Sequence, residues 1–415
     1  MTATTATVPG AAGHPAHRDG NVLRWLGAYT TSMVGDSVYY MALAWAAART
    51  GGAAQTGLVL AAGSVPRALL MLGGGVLADR VGPRRVVIGS DAARCLVILG
   101  LAGALLLTSP TVRLLIAVAL VFGVVDALFL PAVGALPPRI TTTGQLARVQ
   151  GLRGLAARIA NVVGAPLGGL AVAVGGPAAA FAAAGGLFAV STALLLAVRI
   201  APLTAPGPGL PRNTARHELA DGLRHIRRHR VLGPLMIVIA LSELGFVGPL
   251  NLGLILLAQQ RGWGASGMGW IIAAFGTGAG VAALLLAVRG TLPRAGLTMC
   301  LTVLSGSAVI GALAYAPSVA LAATAGLLIG LLVGLGGALA GALVQTAAAP
   351  EYLGRVTSVS TLFTHAVAPL SYPVVGAAVA FWGTGPVFAA GAALCGTGAL
   401  TGLAFGHLRR AELPR

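Results

Sequence analysis

Apolar stretches of about twenty residues, separated by short arginine-bearing connectors, recur along the whole chain and leave few folds open to it. A bilayer core about 30 Å thick takes roughly 20 apolar residues per helix, and the 415 residues divide into twelve such pieces. Their approximate limits are 23–48, 55–78, 86–108, 112–137, 149–174, 178–199, 231–257, 264–288, 294–314, 318–346, 355–381 and 384–407. Glycine and proline are frequent inside them, which membrane helices tolerate because neighbouring helices satisfy freed backbone groups and small residues allow close packing. Apolar residues make up 57% of the chain and charged residues 9%, against roughly 25% charged in a soluble chain. No water-soluble fold conceals so much apolar surface. The expected class is an all-α integral membrane protein with twelve transmembrane helices.

The net charge of +17 does not point to nucleic acid, because the basic residues lie between the spans and form no single stripe with interleaved aromatics. All 27 are arginine, which suggests GC-rich coding and a high-GC bacterium. Basic residues concentrate in cytoplasmic connectors. With the N-terminus inside, only Arg49, Arg113 and Arg261 fall outside and Arg67, Arg94 and Arg158 lie within spans, which leaves 21 arginines inside. The expectation is a multi-pass protein of the cell membrane with both termini cytoplasmic. Residues 1–20 lack the pattern of a signal peptide and are expected to be a disordered cytoplasmic tail; 21–199 form one six-helix bundle and 231–408 a second, with 409–415 a short cytoplasmic tail. The linker 200–230 is proline-rich and then amphipathic from Glu218 to Arg228, which predicts a short surface helix. Cys95, Cys300 and Cys395 are isolated in apolar spans, so neither a disulfide framework nor a metal site is expected.

The halves repeat at a fixed offset. Arg148-Val149 is followed by Pro166 and Gly169, and Arg355-Val356 by Pro373 and Gly376, each 207 positions further on. The same shift carries Asp36 in the first span onto Glu243 in the seventh. Six helices repeated in one orientation form a parallel repeat, with a binding site expected near the midplane between the halves.

Depth singles out the ionisable residues. A helix rises about 1.5 Å per residue, so Asp36, Arg67, Asp126 and Glu243 each lie roughly 18–20 Å from the nearest polar end. A charge there costs at least about 2.5–3.5 kcal/mol and therefore faces a cavity or a partner. Arg67 cannot lose its proton, so it neutralises only one of the three acids, with Arg158 a less central partner. An acid that alternates between an apolar setting and an arginine alternates in protonation. Asp36, with Asp126 or Glu243, is thus the expected proton carrier, Arg67 competing for whichever carboxylate is charged. His365 is a candidate for the relay because imidazole titrates near neutrality, although a lone histidine there more commonly serves packing. Tyr39, Tyr40, Phe129, Phe246, Asn251 and Gln345 are candidate cavity residues amid small apolar ones.

Between the second and third spans runs Gly75-Val76-Leu77-Ala78-Asp79-Arg80-Val81-Gly82-Pro83-Arg84-Arg85. It resembles the G-x-L-A-D-R-x-G-R-R/K signature of the major facilitator superfamily, at Gly75, Leu77, Ala78, Asp79, Arg80, Gly82, Arg84 and Arg85, with Pro83 in place of a basic residue. Gly35-Asp36-Ser37, Asp91, Arg94, Glu218 to Arg228 and Tyr352-Leu353-Gly354-Arg355-Val356 resemble the drug:proton antiporter branch that includes macrolide-efflux and enterobactin-export proteins. Ala165-Pro166-Leu167-Gly168-Gly169 only partly matches the antiporter motif G-P-x-x-G-G.

The resemblance implies two pseudo-symmetric six-helix bundles and transport by alternating access. It also implies that Asp79 latches the hinge to the start of the eleventh span near Arg355, and that Gly75, Arg80, Gly82, Arg84, Arg85, Asp91 and Arg94 belong to this cytoplasmic gate. The expected activity is proton-coupled efflux of a lipophilic neutral or cationic small molecule, with no cofactor beyond the proton gradient. Partners are the lipid bilayer, the small-molecule substrate and protons, the chain working as a monomer. An importer or facilitator of a small metabolite and a non-transporting sensor or scaffold remain as alternatives. An enzyme is not expected, since the spaced single acids supply neither a ligand set nor a nucleophile with its base.

Overall fold

A computed structural model describes residues 18–141, 145–199, 223–289, 294–348 and 352–413, without the side chains of 71–80, Ala147, Arg158, Asn161, Ala287, Arg289 and most of 353–368. Among the described residues there are helices and no strands. Several helices are too long for one crossing, and glycine divides them. Gly20–Val81 is broken at Gly52 (φ 73°, ψ −174°) into α1 and α2, and Leu146–Leu196 at Gly175 and Gly176 (φ 70°, ψ −170° at Gly176) into α5 and α6. These are backbone conformations that only glycine enters readily. Pro83–Leu107 is α3 and Val112–Gly134 is α4.

The remaining helices are Leu232–Gln260 (α7), Gly264–Arg289 (α8), Ala295–Leu313 (α9), Val319–Ala347 (α10), Leu353–Trp382 (α11) and Thr384–Ala404 (α12). The twelve crossings lie within a few residues of the expected spans. Proline fits at helix starts, where its missing donor is not needed, as at Pro83 in α3. In α7, Pro249 opens a π-helical turn, Pro249–Gly253, that widens the helix by one residue. Leu69, Leu96, Leu284, Phe381 and Trp382 are exposed on the outside, as a lipid-facing surface requires.

Contacts divide the chain into two units, Met1–Leu43 with Ala62–Gly209, and Ala44–Ala61 with Leu210–Arg415. In the first, α3 packs on α4 and on the α5–α6 stretch; Trp25, Phe129, Val133, Leu136 and Val149 are part of its core. In the second, α8 packs along α10, α7 along α12, and α9 against both α10 and α12. Leu235, Met299, Leu343, Val356 and Leu408 belong to that core.

The units differ from the halves expected from sequence at one corner. Ala44–Ala61, the end of α1 and start of α2, goes with the second unit. The reason is close backbone contact: a Cβ on Gly57 would come within 2.5 Å of Tyr372 O, and one on Gly376 within 2.8 Å of Ala53 O. Glycine at both positions lets α2 and α11 approach more closely than any larger residue allows. Of the amphipathic linker helix, residues 223–228 are helical, and Ile226 is buried. Glu218 to Gly222 lie outside the described residues.

Candidate functional site

Helical spacing brings the polar groups of the first unit together. Ser32, Asp36 and Tyr40 follow one another at i, i+4 and i+8 and so share one face of α1. Asp91 and Arg94 are three apart on α3, Phe122, Asp126 and Phe129 share a face of α4, and Phe188 and Ser191 share a face of α6. Arg67 comes from α2. These side chains form one buried network with Arg94 at its hub.

Arg94 is fully buried, and its guanidinium reaches three carboxylates. Nη1 donates to Asp36 Oδ1 at 2.9 Å and to Asp126 Oδ1 at 3.2 Å; Nη2 donates to Ser32 Oγ at 2.9 Å and to Asp91 Oδ1. The rings of Phe129 and Phe188 lie 3.9 and 4.9 Å from its central carbon. Such cation–π contacts stabilise a desolvated guanidinium. Asp91 accepts further hydrogen bonds from Ser32 Oγ at 3.1 Å and from Ser191 Oγ.

Arg67 lies at the edge. Its Nη1 donates to Tyr40 Oη at 3.1 Å. Its Nε is 3.0 Å from Asp126 Oδ2, but neither atom makes a well-directed hydrogen bond, so charge alone holds that pair. Exposure grades across the network. The side chains of Asp91 and Asp126 are 0% and 1% exposed, whereas Asp36 is 14% and Arg67 29% exposed. Asp36 and Arg67 are thus the least enclosed members of the network.

Among the described side chains, three carboxyl groups therefore face two guanidiniums. Arginine stays protonated under all relevant conditions, so ionisation of all three acids leaves one negative charge uncompensated in a buried setting. That state is unfavourable unless a proton or another cation joins it.

The remaining expected residues are placed as follows. Tyr39 is buried with its ring 3.8 Å from that of Phe122, and Phe129 is buried against Arg94. Both pack inside the unit, which differs from the cavity-lining position expected of them, because the arginine and aromatic neighbours fill the space around them. Tyr40 is half-buried beside Arg67. In the second unit Glu243 on α7 is half-buried and has no hydrogen-bond or ion-pair partner among the described residues. Phe246 packs against Phe275 with ring centres 5.8 Å apart. Asn251 lies in the π-helical turn and donates to Val247 O at 2.8 Å, and Gln345 is exposed on α10.

Asp91 and Arg94, grouped with the gate by resemblance, sit in the buried network instead. Arg84 and Arg85 are exposed at the start of α3, after Gly82 with its positive φ. Gly75, Asp79, Arg80, Arg355 and His365 have side chains outside the described residues. Ser32, Ser191 and Phe188 were not anticipated, since a serine or phenylalanine in an apolar span carries no charge that hydropathy registers.

Among known proteins, the chain is 28% identical over 366 residues to the multidrug efflux pump Tap of Mycobacterium tuberculosis, spanning 82% of this chain and 83% of that protein. It is 26% identical over 312 residues to the enterobactin exporter EntS of Shigella boydii, spanning 75% and 70%. Of solved structures, the nucleoside transporter NupG superposes with a TM-score of 0.72 at 12% identity, over 93% of this chain and 99% of that one. A bacterial homologue of the human lysosomal transporter Spinster gives 0.69 at 14% identity, over 96% and 97%. At those identities the likeness establishes the fold alone. Residues 25–266 match the Major Facilitator Superfamily, and the chain belongs to that superfamily of membrane transporters.

Proposed function

We propose that the chain exports a lipophilic neutral or cationic small molecule in exchange for protons, by alternating access, from a cell membrane in which both its termini face the cytoplasm. The observation that carries the proposal is the imbalance, among the described side chains, of the three carboxyl groups of Asp36, Asp91 and Asp126 against two arginines. Asp91 is held by Ser32, Ser191 and Arg94, and Asp126 by two arginines. Asp36 has one donor, Arg94 Nη1, which it shares with Asp126, and it is partly accessible. It is the acid with least holding it ionised and the best route for a proton to enter.

A proton and a cationic substrate then compete for one surplus negative charge. Occupancy by either removes the penalty, and occupancy by both leaves a surplus positive charge. Such exclusion couples two flows without any contact between the ligands. Glu243, which the repeat pairs with Asp36, supplies a second carboxyl in the other unit. The named activities of the two exporters described above support the outward direction.

The test is proton-driven uptake of a fluorescent lipophilic cation such as ethidium into inverted vesicles, alongside accumulation in an exporter-deficient host with and without collapse of the gradient. Gradient-dependent uptake should be present in the wild type and absent in Asp36→Asn. Undiminished gradient-dependent uptake in Asp36→Asn rejects the assignment of the proton to that residue, and no flux of any of a panel of neutral and cationic compounds rejects export.

A further inference from the structure

At the end of the first unit that carries the start of α1, a cavity of about 610 Å³ is lined by Arg24, Arg84, Leu196, Ala197, Val198 and Arg199. We infer that it is a binding site for the headgroup of an anionic phospholipid, the phosphodiester lying among the three guanidiniums.

The frame around the cavity is fixed by hydrogen bonds that span the unit. Asn21 Nδ2 donates to Arg199 O and Arg199 N donates to Asn21 Oδ1 at 2.8 Å, so the start of α1 and the chain leaving α6 are pinned together. Arg84 Nη2 donates to Leu196 O at 2.9 Å, which satisfies a carbonyl at the end of α6 and holds the guanidinium in place. All three arginines are exposed, and none forms an ion pair with a carboxylate among the described residues. The neighbouring acid, Asp19, is already engaged, its Oδ1 accepting from Asn21 N at 2.8 Å as a cap on α1.

Three like charges around one concavity, unpaired with any carboxylate among the described residues, repel one another, and an anion bound among them removes that repulsion. Guanidinium forks suit phosphate oxygens, which accept paired N–H donors. The surroundings select the source of the phosphate. Leu196 on the wall is 57% exposed and Leu23, beside Arg24, is 46% exposed. A soluble phosphate makes no use of apolar side chains at the rim, whereas an acyl chain covers them. With the N-terminus in the cytoplasm, as proposed above, the cavity faces the leaflet where basic side chains meet anionic lipid.

The test uses full-length protein delipidated in detergent and then supplied with phosphatidylglycerol, phosphatidylcholine or inorganic phosphate. Lipid retention is read by native mass spectrometry and stability by thermal melting. Phosphatidylglycerol should be retained and raise the melting temperature, phosphatidylcholine and inorganic phosphate should do neither, and the double variant Arg24→Gln/Arg199→Gln should retain phosphatidylglycerol roughly tenfold less or weaker still. Its melting temperature in phosphatidylcholine should match the wild type, which establishes that it is folded, and the single variant Arg199→Gln should fall between. Arg409→Gln/Arg410→Gln, two exposed arginines in the second unit, should leave retention unchanged. Equal retention by the Arg24/Arg199 variant, equal loss in the Arg409/Arg410 control, or stabilisation by inorganic phosphate as large as by the lipid each overturns the inference. None of these readouts depends on transport.

Discussion

Gly176 and Gly383 stand 207 positions apart and share one backbone conformation, φ 70°, ψ −170° at the first and φ 80°, ψ 177° at the second. Each ends one crossing and begins the next, α5 to α6 and α11 to α12. The offset is the one that relates Asp36 to Glu243, so the repeat extends from sequence marks to the geometry of a helix break. A side chain in this region of backbone space costs about 1–3 kcal/mol. Gly176→Ala and Gly383→Ala should therefore each lower the melting temperature in detergent by several degrees, while Gly89→Ala, where a Cβ meets open space, should leave it within a degree or two.

Asp36 and Asp91 both touch Arg94, yet substitutions there should part company. Asp36→Asn removes the surplus charge, leaves Asp91 and Asp126 to balance the two arginines, and should keep the wild-type melting temperature while ending gradient-driven transport. Asp91→Leu also balances the charge, but it removes both oxygens that accept from Arg94, Ser32 and Ser191, inside a fully buried site. Leaving those donors unpaired costs about 1–3 kcal/mol. Melting curves of the two variants side by side should show loss for Asp91→Leu alone.

Arg94→Lys keeps the charge and loses the fork. A single ammonium cannot reach Asp36, Asp91, Asp126 and Ser32 in the directions that the planar guanidinium does, nor stack between Phe129 and Phe188. Destabilisation of about 2 kcal/mol or more is expected, because buried polar groups are left unpaired. Arg67→Lys should be far milder in melting, since Arg67 is partly exposed and makes one hydrogen bond, to Tyr40.

Much of this network is legible in the sequence. Counting residues from the polar ends placed Asp36, Arg67 and Asp126 at one depth, and the cost of charge in lipid required that they find partners. Arg94 escaped because depth and motif pulled apart. It lies eleven residues past Pro83, about 16 Å into α3, but it belongs by resemblance to the hinge at that helix's start. The hub is also set by its neighbours, and Ser32, Ser191, Phe129 and Phe188 carry no signal that separates a hydrogen-bonding or stacking residue from ordinary filling. The corner at Ala44–Ala61 was illegible for another reason. Its membership follows from glycine-to-backbone contact between Gly57 and Gly376, and a glycine in a span rich in glycine marks nothing by itself.

Outside the membrane, His229 should make the entry to α7 sensitive to acid. Its Nδ1 accepts from Val231 N and Leu232 N, each at 3.2 Å, at the first turn of α7. That role requires Nδ1 to be unprotonated. Burial, and then the neighbouring His225, hold the pKa of His229 below its usual 6.5. The opened chain therefore takes up a proton in a range where the capped helix does not. The cap contributes its full stability above about pH 6.5 and loses it as the pH falls below that value, since each proton then favours the opened form. Amide hydrogen exchange at Val231 and Leu232 reads this directly. Their protection factors should fall several-fold between about pH 7.5 and about pH 5.5, and should stay level in His229→Asn, whose side-chain oxygen accepts without titrating. Protection that is equally flat in the wild type would show that Nδ1 does not hold the helix start.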